Sequence, residues 1–120
     1  MTDFNFLSLP GITVLAAVFI IFSFIRRLII RADVSKKLKA GAKVIDVRDK
    51  SEFSGGHFKG AINIPVDSIS GNLKSIGSKE GVYVIYCVSG SRSAAACRIL
   101  KKAGFNNVTN AGGLSHMPKV

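Results

Sequence analysis

The sequence has few of the residues that several kinds of small protein depend on. It contains two cysteines and two histidines among 120 residues, which is too few for a disulfide-rich mini-protein and matches no zinc-binding spacing. Acidic residues number 7 against 17 lysines and arginines, so the formal net charge is +10. Apolar residues still make up 48% of the chain, which argues against disorder. The length allows one folded domain, and the charged and apolar residues concentrate in different segments.

The N-terminal part contains a long run without charge. Residues 6–25 (FLSLPGITVLAAVFIIFSFI) are twenty uncharged positions, enough at ~1.5 Å per residue to cross a hydrocarbon core of ~30 Å. A cleaved signal peptide is one alternative, but basic residues are lacking before the run and no small-residue cleavage site follows it. A buried helix of a soluble domain is another, but it would show a polar stripe. We therefore expect an uncleaved transmembrane helix at 6–25.

The charges on the two sides of this run are asymmetric. No lysine or arginine precedes it, whereas residues 26–43 carry seven. Basic flanks stay in the cytoplasm, so we expect a single-pass protein of the inner (cytoplasmic) membrane. Its residues 1–5 would lie outside and its folded domain would face the cytoplasm. Residues 26–43 form a basic juxtamembrane segment in this interpretation, with a short helix capped by Asp33 and stopped by Gly41.

A nucleic-acid-binding protein is the alternative explanation of a basic chain. That class usually interleaves aromatic and basic residues or carries a recognisable motif, and neither feature accompanies the charge here. We therefore predict a membrane partner through residues 6–25 and no nucleic-acid partner.

The rest of the chain alternates predicted strands and helices. Runs of β-branched or apolar residues bounded by turn residues predict strands at 43–47, 62–64, 82–86 and 107–110. Helices are predicted at 67–76 and 91–103. The five apolar residues at 82–86 are typical of a strand buried on both faces. This order predicts an α/β domain with a mainly parallel β-sheet flanked by helices, over residues 44–120 or from near residue 32.

Cys87 follows the strand at 82–86, where parallel α/β sheets bind ligands. The next residues, 88–93 (VSGSRS), are mostly small and lead into a helix. The backbone N–H groups of such a loop and the helix N-terminus favour a thiolate over a thiol. Arg92 adds a cation that suits an anionic substrate. The alternative is an inert cysteine at the end of a buried strand.

Six stretches, taken in their order and spacing, resemble a single-domain rhodanese, which is a sulfurtransferase. They are VIDVR at 44–48, SEF at 51–53, GH at 56–57, GAINIP at 60–65, CVSGSRS at 87–93 and the glycine pair at 112–113. The resemblance covers about residues 32–115. It implies a rhodanese-like domain, preceded in this chain by one transmembrane helix.

The resemblance implies covalent catalysis by Cys87. This residue would take the outer sulfur of thiosulfate or a similar anionic donor as a persulfide, and a thiol or cyanide acceptor would then remove it. The acceptor thiol belongs to a small molecule or to a protein, and neither metal nor cofactor is implied. The implied substrate-binding residues are Val88, Ser89, Gly90, Ser91, Arg92 and Ser93. Related phosphatases have one more residue between the cysteine and the arginine, so the loop length favours sulfur over phosphate.

The remaining polar candidates are assigned supporting roles. Asp46 and Arg48 are predicted to form an ion pair that holds the loop, and His57 a bracing hydrogen bond, with proton transfer as the alternative for His57. Cys97 is predicted to be a small buried helix residue, with a resolving thiol as the alternative. The chain lacks the tryptophan and closing helix usual after the glycine pair, so the last helix should be short or missing.

A second hypothesis for the whole protein comes from its membrane segment and shortened C-terminus. It is a non-catalytic module that carries persulfide or docks a partner at the membrane.

Overall fold

The computed structural model of the protein describes residues 2–119, with side-chain surroundings from Gly11 onward. Met1, in the predicted outer segment, and Val120, at the end of the predicted domain, lie outside the described residues. The chain divides into two compact units at Ile30. Helix α1 (Thr2–Lys39) supplies the described part of the first unit and begins the second.

Helix α1 is continuous where the sequence predicted a separate short helix starting at Asp33. That prediction was wrong because residues 12–39 contain neither glycine nor proline, so nothing in the backbone interrupts the helix. Asp33 lies inside the helix and forms an ion pair with Lys37, one turn later, at 2.9 Å. The helix ends at Lys39, and Gly41 follows with a φ of 92°, which favours glycine at a helix end.

Residues 11–25 of the first unit carry no charge and are mostly apolar on all sides of the helix. Leu15, Phe19 and Ile20 are 65–71% exposed. A helix that is apolar all round needs an apolar environment, such as a membrane or a large protein core. Within residues 2–119, one helix is long and apolar enough to cross a membrane, by length and composition alone, and it spans Gly11–Lys39.

The second unit is built on a four-stranded sheet. Its strands are β1 (Lys43–Asp46), β2 (Ile62–Asn63), β3 (Val82–Cys87) and β4 (Asn107–Gly113). The strand order is β2-β1-β3-β4, and each pairing is parallel, which confirms the predicted α/β class. Strand β4 extends beyond the predicted 107–110 because its end continues to pair with β3, up to Cys87 opposite Gly113.

Short helices and turns connect the strands. They are α2 (Lys50–Ser54), 3-10 turns at Val66–Ser68 and Ser70–Asn72, α3 (Leu73–Ile76), α4 (Ser91–Lys102) and a last 3-10 turn at Leu114–His116. The predicted helix at 67–76 is broken into three pieces because serine, glycine and asparagine at 70–72 are poor helix formers. The closing helix expected to be short or missing is the single turn at Leu114–His116.

The main core lies between the sheet and α4. Ile45 and Ile85, from the two central strands, pack with Leu100 of α4 and are fully buried. Alternate residues such as Val84 point to the other face. The end of α1 lies against this second face of the sheet, where Lys37 donates a hydrogen bond to Thr109 of β4. Because the strands are parallel, the residues that follow β1, β3 and β4 meet at one edge of the sheet.

Candidate active site

Cys87 is the last residue of β3, and the chain turns sharply after it. Gly90 has a φ of 100°, in the left-handed region that favours glycine, and α4 begins at the next residue. This turn brings the N–H of Gly90 to 3.0 Å from the Cys87 sulfur. The hydroxyl oxygen of Ser93, in the first turn of α4, lies 3.4 Å from the same sulfur. The sulfur therefore lies within hydrogen-bonding distance of a backbone N–H and of a serine hydroxyl.

These polar groups change the acidity of the Cys87 thiol. Burial raises the pKa of Cys87, but the Ser93 hydroxyl and the N–H groups of Ser93, Gly90 and Ser89 outweigh burial and hold the pKa below its ordinary value. Donors aimed at a sulfur stabilise the thiolate more than the thiol. Cys87 is fully buried, whereas Val88, next in the chain, is 54% exposed. The structure thus combines a thiolate-stabilising site with a covered sulfur.

Arg92 points to α2 and binds a carboxylate there. Its guanidinium donates two hydrogen bonds to Glu52, at 2.7 and 3.1 Å. The pair is bidentate, which is a strong and directional arrangement. The hydrogen bond from Arg92 holds the pKa of Glu52 at about 2, and Glu52 in turn raises the pKa of Arg92. The positive charge beside the loop is therefore partly neutralised by a residue 40 positions earlier in the chain.

The loop rests directly on the glycine pair of β4. A side chain at Gly113 would place its Cβ only 2.0 Å from the carbonyl oxygen of Val88. A side chain at Gly90 would meet the Cα of Gly112 at 3.3 Å. Gly112 also has a φ of 86°, which disfavours other residues. The glycine pair is thus the surface that lets the loop approach the sheet.

Asn110 joins the loop to β4 through its side-chain amide. Its Nδ2 donates to the carbonyl of Gly90 at 3.0 Å, while its Oδ1 lies 2.6 Å from the Ser93 hydroxyl oxygen. The same Oδ1 accepts the N–H of Gly112 at 2.9 Å. Sequence reasoning missed both Asn110 and the role of Glu52 as the partner of Arg92. For Asn110, the available signal was its position at the carboxyl end of the last strand.

Asp46 and Arg48 form a buried ion pair at the carboxyl end of the neighbouring strand, β1, with a distance of 2.7 Å. Burial raises the pKa of Asp46, but hydrogen bonds from Arg48 and Tyr86 outweigh it and lower the pKa. Tyr86 donates its hydroxyl to Asp46 at 2.6 Å. Burial and this contact raise the pKa of Tyr86 to about 12. Arg48 also donates to the carbonyl of Gly56 at 2.7 Å, so the pair holds the segment that carries His57.

His57 lies on the exposed surface beside α2. Its ring stacks on Phe53 with centroids 3.7 Å apart, and its Nδ1 lies 2.9 Å from the carbonyl oxygen of Phe53. Both contacts are made with Phe53 of α2, the helix whose Glu52 binds Arg92, so they fit a bracing role. The predicted supporting role of His57 stays a prediction, as do those of Asp46 and Arg48.

Cys97 lies in the middle of α4 and packs into the main core. Burial raises the pKa of this thiol to about 11. Its exposed fraction is 5%. Among the described residues, no group of three or more histidine, cysteine, aspartate or glutamate side chains is arranged to hold a metal ion.

The fold and the site together define a class of protein: a parallel α/β domain in which a cysteine at the end of a strand lies in a loop of N–H donors. Comparison with known proteins identifies the family within this class. A family model described as the rhodanese-like domain matches residues 31–116. The chain therefore belongs to the rhodanese-like family.

Individual relatives agree with this assignment. The chain is 38% identical over 79 residues to the thiosulfate sulfurtransferase PspE of Escherichia coli, an alignment that covers 63% of this chain and 76% of PspE. It is 35% identical over 88 residues to YqhL of Bacillus subtilis, a protein described as uncharacterized, covering 71% of this chain and 69% of YqhL.

Solved structures show the same fold. A structure described as a rhodanese with anions from E. coli superposes with a TM-score of 0.61 and 36% identity, covering 67% of this chain and 98% of that one. A human single-domain sulfurtransferase superposes with a TM-score of 0.63 and 25% identity, covering 68% and 85%.

Proposed function

We propose that the protein is a membrane-anchored sulfurtransferase whose nucleophile is Cys87. The observation that supports this most directly is the convergence of donors on the sulfur, with the Gly90 N–H at 3.0 Å and the Ser93 hydroxyl at 3.4 Å. These contacts stabilise the thiolate, which is the reactive form of cysteine. The thiosulfate sulfurtransferase among its relatives supports the same reaction class.

In the proposed reaction, the Cys87 thiolate attacks the outer sulfur of thiosulfate or a similar donor. A bond forms between Sγ and the outer sulfur, the S–S bond of thiosulfate breaks, and sulfite leaves with its electron pair. A thiolate or cyanide acceptor then attacks the outer sulfur of the persulfide. Cys87 leaves as a thiolate with the electron pair of the second bond, so no oxidant or cofactor is consumed.

The loop residues 88–93 have a clear task in this scheme. The N–H groups of Ser89, Gly90 and Ser93 and the Ser93 hydroxyl lie against the sulfur and would hold the charge of the persulfide and of the donor. Arg92 would supply positive charge to the anionic donor, although its ion pair with Glu52 reduces the net field that the donor meets. Asp46, Arg48 and His57 would keep the neighbouring segment in place without contacting the donor.

The burial of Cys87 supports a second candidate function. A sulfur with no exposed surface reacts only when the loop opens around it. A non-catalytic module that docks a partner, or a persulfide carrier loaded by that partner, would have the same closed site. One relative is described as a putative sulfur carrier protein, and this chain covers 36% of its length. Sulfur transfer from free thiosulfate separates the two candidates.

The proposed anchor is the apolar segment of α1 within residues 6–25, with the rhodanese-like domain on the cytoplasmic side of the inner membrane. The exposed apolar side chains of α1 and the basic residues that follow them support this topology. The intact mass of the protein purified from membranes tests it, because an uncleaved anchor retains residues 1–25 and a signal peptide does not. Protease added outside spheroplasts should leave the domain uncut.

The sulfur-transfer proposal is tested by intact mass of the detergent-solubilised full chain after treatment with thiosulfate. We expect a gain of one sulfur atom that a reducing thiol reverses. The gain should persist in Cys97→Ser and vanish in Cys87→Ser. A folded protein that gains no sulfur, and shows no thiosulfate:cyanide turnover, would overturn the catalytic proposal in favour of the docking module.

A further inference from the structure

The Ser93 hydroxyl has one hydrogen and three acceptors within reach. They are the Cys87 sulfur at 3.4 Å, the Gly90 carbonyl at 3.0 Å and the Oδ1 of Asn110 at 2.6 Å. A hydroxyl donates to one acceptor at a time. The shortest of the three contacts is the one to Asn110, so the side chain of Asn110 competes with the sulfur for this hydrogen.

The orientation of the Asn110 amide follows from its other two partners. The N–H of Gly112 can only donate, so the atom facing it at 2.9 Å must be the amide oxygen. The carbonyl of Gly90 can only accept, so the atom facing it at 3.0 Å must be the amide nitrogen. The oxygen is therefore held in place beside Ser93 whether or not Ser93 donates to it.

A local irregularity of the sheet puts Asn110 in this position. The register of β3 and β4 pairs Ile85 with Asn110 but Tyr86 with Gly112, so one residue of β4, Ala111, is skipped. A bulge of this kind bends the strand and turns a side chain away from its regular direction. Here it coincides with the point where the loop crosses β4.

We propose that Asn110 is a positioning residue that withholds the Ser93 hydrogen from Cys87 and releases it when negative charge forms on the sulfur. The proposal rests on the proposed sulfurtransferase function. In the thiolate, the charged sulfur attracts the hydrogen more strongly than a neutral amide does. In the persulfide, the negative charge moves to the outer sulfur and the hydrogen returns to Asn110. The pair would thus adjust to both halves of the reaction cycle.

The first consequence concerns the thiol pKa. If Asn110 acts through Ser93, Asn110→Leu frees the Ser93 hydrogen for the sulfur and lowers the pKa of Cys87. The same substitution also removes the hydrogen bond to the Gly90 carbonyl, which loosens the loop by an unrelated route. A double-mutant cycle with Ser93→Ala cancels the part of that second effect that does not involve Ser93, because this part is present in both backgrounds.

The experiment measures the pH dependence of iodoacetamide alkylation for the full chain in detergent, in the Cys97→Ser background so that one thiol reports. The quantity compared is the pH midpoint of Cys87 alkylation. We expect Asn110→Leu to lower this midpoint by about half a pH unit more when Ser93 is present than in the Ser93→Ala background. Asn110→Asp keeps an acceptor oxygen and should not lower the midpoint. Asn107→Leu, at the other end of β4, is the matched control and should leave it unchanged.

Equal shifts of Asn110→Leu in the two backgrounds, or a coupling of the opposite sign, would overturn the proposal. If Asn110→Leu does not fold, Asn110→Ala removes the same polar atoms with less bulk and gives the same cycle. The ionisable side chains near the loop include Arg92, its partner Glu52, Asp49 and His116 of the last turn, and all are retained in each variant. Because alkylation needs no sulfur donor, its outcome is independent of whether thiosulfate is a substrate.

Discussion

Cys87 and Cys97 lie ten residues apart and are both buried, with exposed fractions of 0% and 5%. The pKa values of the two thiols are nevertheless shifted in opposite directions from the ordinary value of a cysteine. Burial alone raises the pKa of Cys97 to about 11, whereas the donors of the loop lower the pKa of Cys87 despite burial. The comparison shows that burial alone does not fix the direction in which the pKa of a thiol is shifted. The direction depends on whether the surrounding groups donate hydrogen bonds to the sulfur.

The largest effect should come from removing the surface on which the reactive loop rests. Gly113→Ala places a Cβ 2.0 Å from the Val88 carbonyl oxygen, so either the loop or β4 must move. We expect loss of nearly all sulfur transfer and a clear fall in Tm. Gly71→Ala is the control, because no atom lies within 4 Å of its added Cβ and its φ is not positive. Turnover close to that of the original protein in Gly113→Ala would show that the loop does not need this contact.

The second prediction is the ratio of alkylation rates of the two cysteines. At pH 7.5, a thiol with a pKa of about 11 is ionised at least about a hundredfold less than one with a pKa below 9. Mass spectrometry of the native protein after brief iodoacetamide treatment should therefore find the label on Cys87. The slightly greater exposure of Cys97 acts in the opposite sense and favours labelling of Cys97. Preferential labelling of Cys97 would mean that access, and not ionisation, governs these thiols.

A third and smaller effect tests the charge beside Cys87. Glu52→Gln removes the carboxylate that neutralises Arg92, so the loop gains one positive charge. We expect the KM for thiosulfate to fall by a few-fold, because the anionic donor then meets an unpaired cation, and the fall to shrink at high salt. Glu80→Gln makes the same charge change in the turn before β3, at the opposite end of the sheet, and should leave KM unchanged. A rise in KM would instead assign Glu52 the task of orienting Arg92.

The dependence of this pair on pH follows from the pKa of Glu52. Its folded value of about 2 is below the ordinary 4.5, so the ion pair stabilises the folded protein above pH 4.5 and this contribution is lost as the pH falls toward 2. Between pH 6 and 8 the pair is intact. Glu52 should therefore add no titration step to the activity profile in that range, and Glu52→Gln should retain the same profile shape. A new titration step in that range would contradict this assignment.

The smallest effect is expected from Cys97→Ser. The side chain packs in the core and lies outside the loop, so turnover should stay close to that of the original protein, with a modest loss of stability from a buried hydroxyl. Loss of turnover equal to that of Cys87→Ser would contradict a mechanism with one thiol. It would also remove the contrast between the two cysteines.

The order of elements and the position of Cys87 could be predicted from the sequence because they depend on local patterns. The five apolar residues at 82–86, the small residues after Cys87 and the helix that follows are neighbours in the chain, and each favours its own conformation. The same local reasoning failed at Asp33. The capping preference of aspartate predicts a helix start there, but Asp33 lies in an uninterrupted helical stretch where it pairs with Lys37 instead.

The sequence by itself determined that a cysteine ends a buried strand of the sheet and enters a loop of small residues before a helix. The tertiary structure decided which residues surround that loop: Glu52 at Arg92, Asn110 at Ser93 and Gly113 beneath Val88. These partners are 40, 17 and 25 positions apart in the chain. They meet because parallel strands bring their carboxyl ends to one edge, and because a one-residue bulge in β4 sets which side chain reaches the loop. Strand register and such bulges depend on the packing of the whole sheet and are not encoded in any single segment.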